Sequence, residues 1–413
     1  MINYTGFQWL LIDAANQYGY DKMTFEQRIS WAESNLHDLE EFAQYAETKS
    51  MFIKAVMAVR KAQAGVPTGH MVGVDAVCSG IQLMSAMTGC VSGATATGLV
   101  TPDKRADAYG TVTTVMNRIL GGGFSIPRSH AKDATMKSFY GSKAEPKIIF
   151  GEDTPELAAF YEAANEVAPG AWELLQDLLG SWQPFALSHQ WKLPDGFDAR
   201  VKVMSKQESR IEVDELEHAT FTYQYYDNVG TKKGLSNAAN VIHSVDAFVL
   251  REMHRRCNYN CDSIEYVAQC VEAELLERIM GVNTTSDEFT TDKMDYYMEQ
   301  FKRSGSVSAA ILPYLDQATV SLLSIEHLKA LSVVVNNMLM HKSFPLVTVH
   351  DEFRAHANNV NQVRFHYKEI LAELADSTIL DDLLSQIHGS AGTFKKLSND
   401  LSNKIRESNY ALC

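Results

Sequence analysis

Three short segments of the sequence hold residue types that could do chemistry together. The first is Asp75-Ala-Val-Cys-Ser-Gly-Ile-Gln82, where a carboxylate closes an apolar run and small residues follow. A carboxylate at the end of a buried strand can ligate Mg²⁺, which takes oxygen ligands and keeps several of its waters. The plain alternative is an Asp that caps the following helix. The second segment is Arg128-x3-Lys132-x3-Met136-x3-Tyr140-Gly141. Four-residue spacing lays these side chains along one slowly drifting helical stripe, about 18 Å long at 1.5 Å per residue. Two cations at its N-terminal end suit a triphosphate, aided by the helix dipole, and the aromatic at the other end suits a base or sugar. A solvated cationic helix with a core Tyr has the same pattern. The third segment is Val347-Thr-Val-His350-Asp351-Glu352-Phe353. Two carboxylates follow a strand and a turn exposes Asp351; taken alone this is a polar hairpin tip.

The elements that would carry these residues can be read from periodicity. Gly6 to Tyr45 has helical spacing with breaks at Gly19 and Lys22, and Met51 to Gln63 reads as a further helix. Met71 to Val74 is a buried strand entering Asp75, and Ser79 to Met87 returns to helical spacing. Asp103 to Leu120 predicts a helix closed by Gly121 to Gly123. Ser125 is the expected cap of the next helix, with Pro127 in its first turn and the helix running from Arg128 through Tyr140. Pro155 to Leu179 is helical. Trp191 to Tyr226, with Pro194-Asp195-Gly196 and Thr220-Phe-Thr-Tyr223, predicts one β-hairpin. Helices are expected over Asn240–Arg255, Ser263–Met280, Thr291–Lys302 and Ile325–Met340, with a polar loop at Asn283–Asp287. Leu346 to Val349 is a strand before the His350-Asp351 turn, and Asn358–Ala375 and Asp381–Leu397 are helices. The class is α+β, helix-rich, with a small sheet.

Composition bounds the function classes. The chain has 413 residues, 46% hydrophobic and 21% charged, enough for a sizeable core and two to four subdomains. It has no apolar run long enough to span a membrane, and the N-terminal residues lack the pattern of a secretion signal. Six scattered cysteines predict reduced thiols in a cytosolic setting rather than a disulfide framework. The pair Cys257-x3-Cys261 has only His254 as a close imidazole and no second Cys pair in range, so thiols rather than zinc are expected there. The net charge of −14 argues against a uniformly nucleic-acid-binding surface. A local basic channel or a partner's cations would remove that objection.

Together and in this order, the three segments resemble the palm and finger motifs of the phage-type single-subunit RNA polymerases. Asp75, Cys78, Ser79, Gly80, Ile81 and Gln82 match motif A. Arg128, Lys132, Met136, Tyr140 and Gly141 match motif B, continued by Ser142 and Lys143, and His350-Asp351 matches motif C. Weaker stretches are colinear. Trp9-Leu10 to Asn16 and Gly19-Tyr-Asp-Lys22 look like the segment before motif A, and Ala108-Tyr109-Gly110 like the first fingers helix. Trp191 to Phe197 resembles the entry to the specificity hairpin, Asn240-Val-Ile-His243-Ser244 the family's His segment, and Glu407 to Cys413 its aromatic C-terminal end. The resemblance implies a right-hand fold with a small antiparallel palm sheet. Residues 1–100 would be palm, 101–246 fingers with a specificity-type hairpin at about 191–226, and 247–413 palm with an inserted helical element at about 257–325. It implies DNA-directed RNA synthesis by two-metal nucleotidyl transfer. Asp75 and Asp351 would be catalytic and, with the Ala76 carbonyl, would hold two Mg²⁺ ions. Lys22, Arg128 and Lys132 would bind phosphate, Tyr140, Gly141 and His243 would meet the incoming nucleotide, and Tyr109 would line the template path.

Departures from the family define the remaining expectations. The first 70 residues contain no Asp-x-x-Gly-Arg segment, and no thumb or N-terminal domain is recognised, so a second polypeptide is expected to supply them, as in split, two-subunit phage RNA polymerases. Partners would be template DNA, nascent RNA and ribonucleoside triphosphates, with no membrane, in the cytoplasm of an infected bacterial host. Asp133 follows Lys132 where relatives often carry a second cation. One rival is a polymerase-I-class DNA polymerase, which shares the Arg…Lys…Tyr-Gly helix and a His-Asp-Glu turn. That class needs a bulky Glu near its catalytic Asp, whereas Asp75 is followed by Ala, Val, Cys, Ser and Gly. A second rival is a non-catalytic structural subunit, against which the presence of both Asp75 and Asp351 counts.

Overall fold

Thr5 and Thr24 each open a helix through a reciprocal capping pair, Thr5 with Gln8 and Thr24 with Gln27. These helices, α1 (Gly6–Ala15) and α2 (Phe25–Ser34), flank a π-helical turn at Asn16–Tyr20, and α3 (Lys49–Gln63) follows. The computed structural model describes residues 1–123, 125–231, 237–281 and 290–413. After β1 (Met71–Asp75) come α4 (Ser79–Thr88), α5 (Val91–Ala96), α6 (Ala108–Leu120), α7 (Arg128–Ser138), α8 (Ala144–Phe150), α9 (Pro155–Val167) and α10 (Pro169–Gly180). Four strands follow: β2 (Ser188–Lys192), β3 (Asp198–Lys202), β4 (Ser205–Val213) and β5 (Ala219–Asp227). Then come α11 (Ala238–Cys257), α12 (Cys261–Ile279), α13 (Asp292–Ser304) and α14 (Ile325–Leu339). The chain ends with β6 (Val347–Val349), β7 (Glu352–His356), α15 (Val360–Asp376), α16 (Ile379–His388) and α17 (Leu401–Glu407). The class is α+β, helix-rich, with small antiparallel sheets.

Five expectations change. The helix expected from Asp103 begins at Ala108, with Asp107 at its N-cap. Pro127, not Ser125, is the N-cap residue of α7, and α7 ends at Ser138, so Tyr140 stands in the turn beyond it. The single helix over Pro155–Leu179 is two, because Pro169 starts a new helix at its first position. The single hairpin at about 191–226 is two separate ribbons, β2–β3 and β4–β5. The helix expected from Asp381 to Leu397 stops at His388, where Gly389 adopts the left-handed C-cap conformation. The polar loop at Asn283–Asp287 lies outside the described residues.

The sheet that matters for the site has the order β1-β7-β6 and is antiparallel throughout. Val72 and Val74 alternate into the core from β1. The register sets Asp75 opposite Glu352, which brings the end of β1 beside the His350-Asp351 turn. Gly73 leaves room for the Glu352 side chain in this register: a Cβ there would come 2.2 Å from Glu352 Oε1. Glu352 therefore lies across the neighbouring strand, ion-paired to Arg354 at 2.9 Å.

Three hydrophobic clusters hold the molecule. The largest gathers α1, α2, α3, β1, α4, α10, α11, β7, α15 and α16 with the C-terminal residues Tyr410–Cys413. A second, including Val112, Met116, Ala131, Ala134 and Phe160, binds α6, α7 and α9 together. A third, from Ile264 to Met338, is built from α12, α13, α14 and the turns between them.

Candidate active site

The ends of β1, α6, α7 and the β6–β7 turn converge on a cavity of about 320 Å³. Its lining includes Lys22, Asp75, Ala76, Tyr109, Arg128, Lys132, Tyr140 and Asp351. Two backbone features set the carboxylates in place. His350 occupies the left-handed region at φ 56, the first position of a two-residue turn between β6 and β7, and Cys78 does so at φ 60 ahead of α4. Non-glycine residues held there cost on the order of 1–3 kcal/mol each and cluster where function demands the geometry. Asp75 exchanges main-chain hydrogen bonds with Cys413, at 3.2 and 3.0 Å, and its side chain accepts the Ala76 N–H at 2.9 Å. Those bonds engage the main chain of Asp75 and leave the Ala76 carbonyl out of the exchange.

The electrostatics are those of crowded carboxylates. Burial, then the charges of Asp351 and Glu352, push the Asp75 carboxyl up to about 6. Asp75 still meets solvent at the cavity, where Asp351 and Glu352 crowd it. Asp246, on α11 one turn beyond His243, is pushed up to about 7 by burial first and then by Asp351, with His350 opposing. Burial raises the Cys78 thiol to about 11 and the Tyr140 hydroxyl to about 12. The Tyr109 hydroxyl lies near Cys78 and the Tyr140 hydroxyl near Ser79, at the start of α4.

Tyr140 has a second constraint. Its ring lies against Gly80, where an added Cβ would come 2.9 Å from the phenol oxygen. The His243 ring is stacked on it at 4.6 Å and 16°. Gly141 follows in the turn and donates its N–H to Ser138 O at 2.8 Å. His243 and Gly141 thus back the cavity without lining it.

Sequence reading gives no role to Asp21, Arg105, Asp107 or Asp246. The first three line the cavity. Lys22 Nζ bonds Asp21 at 2.6 Å, and Arg128 bonds both oxygens of Asp107 at 2.6 and 2.8 Å while lying over the Tyr109 ring. Arg105 Nε donates to Cys413 Sγ at 3.0 Å, and its Nη1 approaches Asp21 at 3.5 Å. The legible signal for Asp246 is its i,i+3 spacing from His243, which puts both on one helical face. Glu352 is absent from the lining.

All six cysteines are free, with Cys257 buried. Among the described residues, the grouping of three metal-type ligands is Glu212, Asp214 and His218, exposed at the β4–β5 turn. It includes no cysteine.

The raised carboxyls set a pH dependence. Between the unfolded carboxylate range near 4 and a folded value of about 7, native Asp246 holds a proton that the unfolded chain lacks. Stability contributed by this group therefore falls as pH rises through that window. In metal-free buffer, Asp246→Asn should gain in melting temperature relative to the unmodified protein as pH rises from about 5 to 8. Thermal unfolding at several pH values measures this, and a gap that narrows with rising pH contradicts the assignment.

A sequence model of the DNA-dependent RNA polymerase family matches residues 1–143, which contain the Asp75 and Arg128–Gly141 segments. The protein named DNA-directed RNA polymerase of Pseudomonas phage phiKMV is 23% identical over an alignment of 302 positions, covering 59% of this chain and 37% of that protein. The DNA-directed RNA polymerase of Enterobacteria phage T3 is 35% identical over 130 positions, covering 28% of this chain and 14% of its own length. T7 RNA polymerase of Escherichia phage T7 is 27% identical over 181 positions, 40% and 19% respectively. The aligned part of the chain spans well under half the length of each of these relatives. No described helix is long and apolar enough to cross a membrane.

Proposed function

Because the chain belongs to the phage-type DNA-directed RNA polymerase family, we propose that it carries the catalytic centre that adds ribonucleotides to an RNA 3′ end on a DNA template. The observation that carries this reading is the convergence of Asp75 and Asp351 with Lys22, Arg128, Lys132, Tyr109 and Tyr140 around one cavity. On this reading 1–100 and 247–413 form the palm, since β1 and β6–β7 share one sheet. Residues 101–246 form the fingers, where α6, α7 and α9 share their own core.

The donor set fits Mg²⁺. Two carboxylates and the Ala76 carbonyl are hard oxygen ligands, and the repulsion that lifts Asp75 is what a divalent cation relieves. Asp75, Asp351 and Ala76 would hold two ions. Bound there, Mg²⁺ supplies activation of the RNA 3′-hydroxyl and neutralisation of the departing pyrophosphate. The chain's own groups do the rest. Lys22, Arg128 and Lys132 offset phosphate charge as it shifts in the transition state. Tyr140, held by the stack on His243 and by its close approach to Gly80, turns its hydroxyl end toward the sugar, and Tyr109 borders the template path.

Tyr140→Phe removes the hydroxyl that reaches Ser79. It should lower the preference for ribo- over deoxyribonucleotides by roughly 2- to 12-fold, the worth of one net hydrogen bond, with little change in the rate of ribonucleotide addition. Competition between the two substrates in single-nucleotide addition reads this out; an unchanged ratio removes the sugar-facing role.

A second polypeptide supplying the thumb, the N-terminal domain and an Asp-x-x-Gly-Arg segment is part of the proposal. Its support is surface chemistry. Among the described residues the outer edge of β6 is unpaired, with Val347 and Val349 exposed, and Ile53, Met57 and Val66 are exposed on and just beyond α3. The Met1–Tyr45 stretch is a poorer candidate surface, because Trp9 to Ala15 are buried in the main core. The family implies action in the cytoplasm of an infected bacterium. The deciding experiment is RNA extension on a primed single-stranded DNA template, with and without such a polypeptide. No ribonucleotide addition in either case removes the catalytic reading, and full activity of the chain alone removes the partner.

A further inference from the structure

The cavity holds four cations and four carboxylates, Lys22, Arg105, Arg128 and Lys132 against Asp21, Asp75, Asp107 and Asp351. Two of the carboxylates, Asp75 and Asp351, lie close enough for the charge of Asp351 to raise the Asp75 carboxyl. The other two are spent on the cations. Asp21 takes Lys22 and faces Arg105. Asp107 takes Arg128 through both of its oxygens. Among the described residues, Lys132 alone of the four is without an ion pair.

The Asp107–Arg128 pair is the informative one. Asp107 is the N-cap residue of α6 and Arg128 the first residue of α7, so the pair joins the starts of two helices. Both side chains are about two-fifths exposed, at 43% and 42%. A ligand can therefore reach the guanidinium from the cavity, and at this exposure solvent and salt screen the pair, so a polyphosphate can compete for the fork. The planar fork of Arg128 binds carboxylate and phosphate in the same bidentate way. It cannot give the same two N–H groups to both. Removing the carboxylate's charge beside the fork also makes the cavity more positive, which favours any polyphosphate.

We propose that Asp107 is a built-in stand-in for phosphate: it holds Arg128 while the cavity is free of polyphosphate, yields it to the triphosphate, and takes it back as pyrophosphate leaves. The inference rests on reading the cavity as a nucleotide site. Asp107 is thus a positioning residue that acts through Arg128. Its exchange lowers affinity for substrate and product alike and keeps the guanidinium oriented between turnovers. Arg128 stays poised over Tyr109 rather than swinging into solvent.

The test is binding of inorganic pyrophosphate, with Mg²⁺ present, to the full chain by calorimetry. The proteins are the unmodified chain, Asp107→Asn, Arg128→Ala and the double variant. Asparagine keeps the size of the side chain and is as well suited as aspartate to an N-cap position, and thermal unfolding checks that the fold is intact. The expected result is a 3- to 10-fold tighter affinity in Asp107→Asn, about the effect of removing one nearby charge. The gain should vanish when Arg128 is already Ala. In extension assays Asp107→Asn should lower the KM for ribonucleotide and strengthen inhibition by pyrophosphate, without a matching rise in kcat. A merely structural role would change melting temperature and not this split. Unchanged or weaker binding in Asp107→Asn, with Arg128→Ala still weakening it, overturns the exchange and leaves the nucleotide site standing. So does a gain that persists without Arg128, since it would then be a general charge effect. Absence of pyrophosphate binding by the unmodified chain removes the nucleotide reading and the inference together.

Discussion

Asp75→Asn and Asp351→Asn are each expected to cut ribonucleotide addition by about 10³-fold or more, the scale of losing several kcal/mol of metal-borne charge stabilisation. Asparagine fills the space of aspartate but offers a neutral amide oxygen to a hard cation. The fold should survive. The main-chain bonds of Asp75 to Cys413 do not use the carboxylate, and neither does the register of β1 against β7. Metal-free Asp75→Asn should even be the more stable protein at neutral pH, because the repulsion from Asp351 and Glu352 goes with the charge. Single-nucleotide addition on a primed template, titrated with Mg²⁺, makes the measurement. Near-normal turnover in either variant at any Mg²⁺ concentration would end the assignment of these two carboxylates.

Arg256→Ala is expected to be among the most destabilising single substitutions, at about 3–5 kcal/mol, the cost of breaking a buried ion pair from one side. Arg256 is fully buried on α11 and gives both terminal nitrogens to Glu373 of α15 at 2.7 Å. Its Nε donates to Glu252, which also accepts Ser308 Oγ at 2.6 Å and the Ala309 N–H at 3.0 Å. Burial still pushes the Glu373 carboxyl up despite its partner, so the pairing offsets its loss of water only in part. Removing Arg256 leaves that carboxylate with nothing opposite. Because α11 also carries His243 and Asp246, the damage should reach the stack on Tyr140. Denaturant unfolding gives the number, and a loss below about 1 kcal/mol, typical of an exposed pair, would mean that water reaches Glu373 in solution.

The segments with strong local signals were legible in the sequence. β1 shows its alternation, the β6–β7 turn shows a strand followed by His350-Asp351, and the four-residue stripe from Arg128 leads to Tyr140. What was hidden follows from long-range pairing and from turns lacking their usual residues. Asp107 looks like any residue near a helix start until α7 is packed beside α6 and Arg128 arrives at its carboxylate. Arg105 gains its place through Cys413, which lies 308 residues away, and through Asp21. The split into two ribbons was masked because the β4–β5 turn contains neither Gly nor Asn: Glu217 and His218 take the positive φ angles, at 54° and 61°. Reading one helix over Pro155–Leu179 passes over Pro169, which marks a break because proline is at home only in the first turn of a helix.

The β4–β5 ribbon has a consequence for how the protein behaves in concentrated solution. Every residue of β5 is exposed, with Phe221, Tyr223 and Tyr225 on one face and Ile211 paired to Phe221. A two-stranded ribbon has two open edges, each a template for a strand of another molecule, and aromatic β-rich sequence is the kind that stacks into aggregates. The same 23-residue ribbon carries Glu208, Glu212, Asp214, Glu215, Glu217 and Asp227 against Lys206 and Arg210. Such charges act as gatekeepers, since bringing two ribbons into register would set like charges side by side. Part of the chain's acidity thus works against self-association. Colloidal stability should be lowest in acid or high salt, where those carboxylates are protonated or screened.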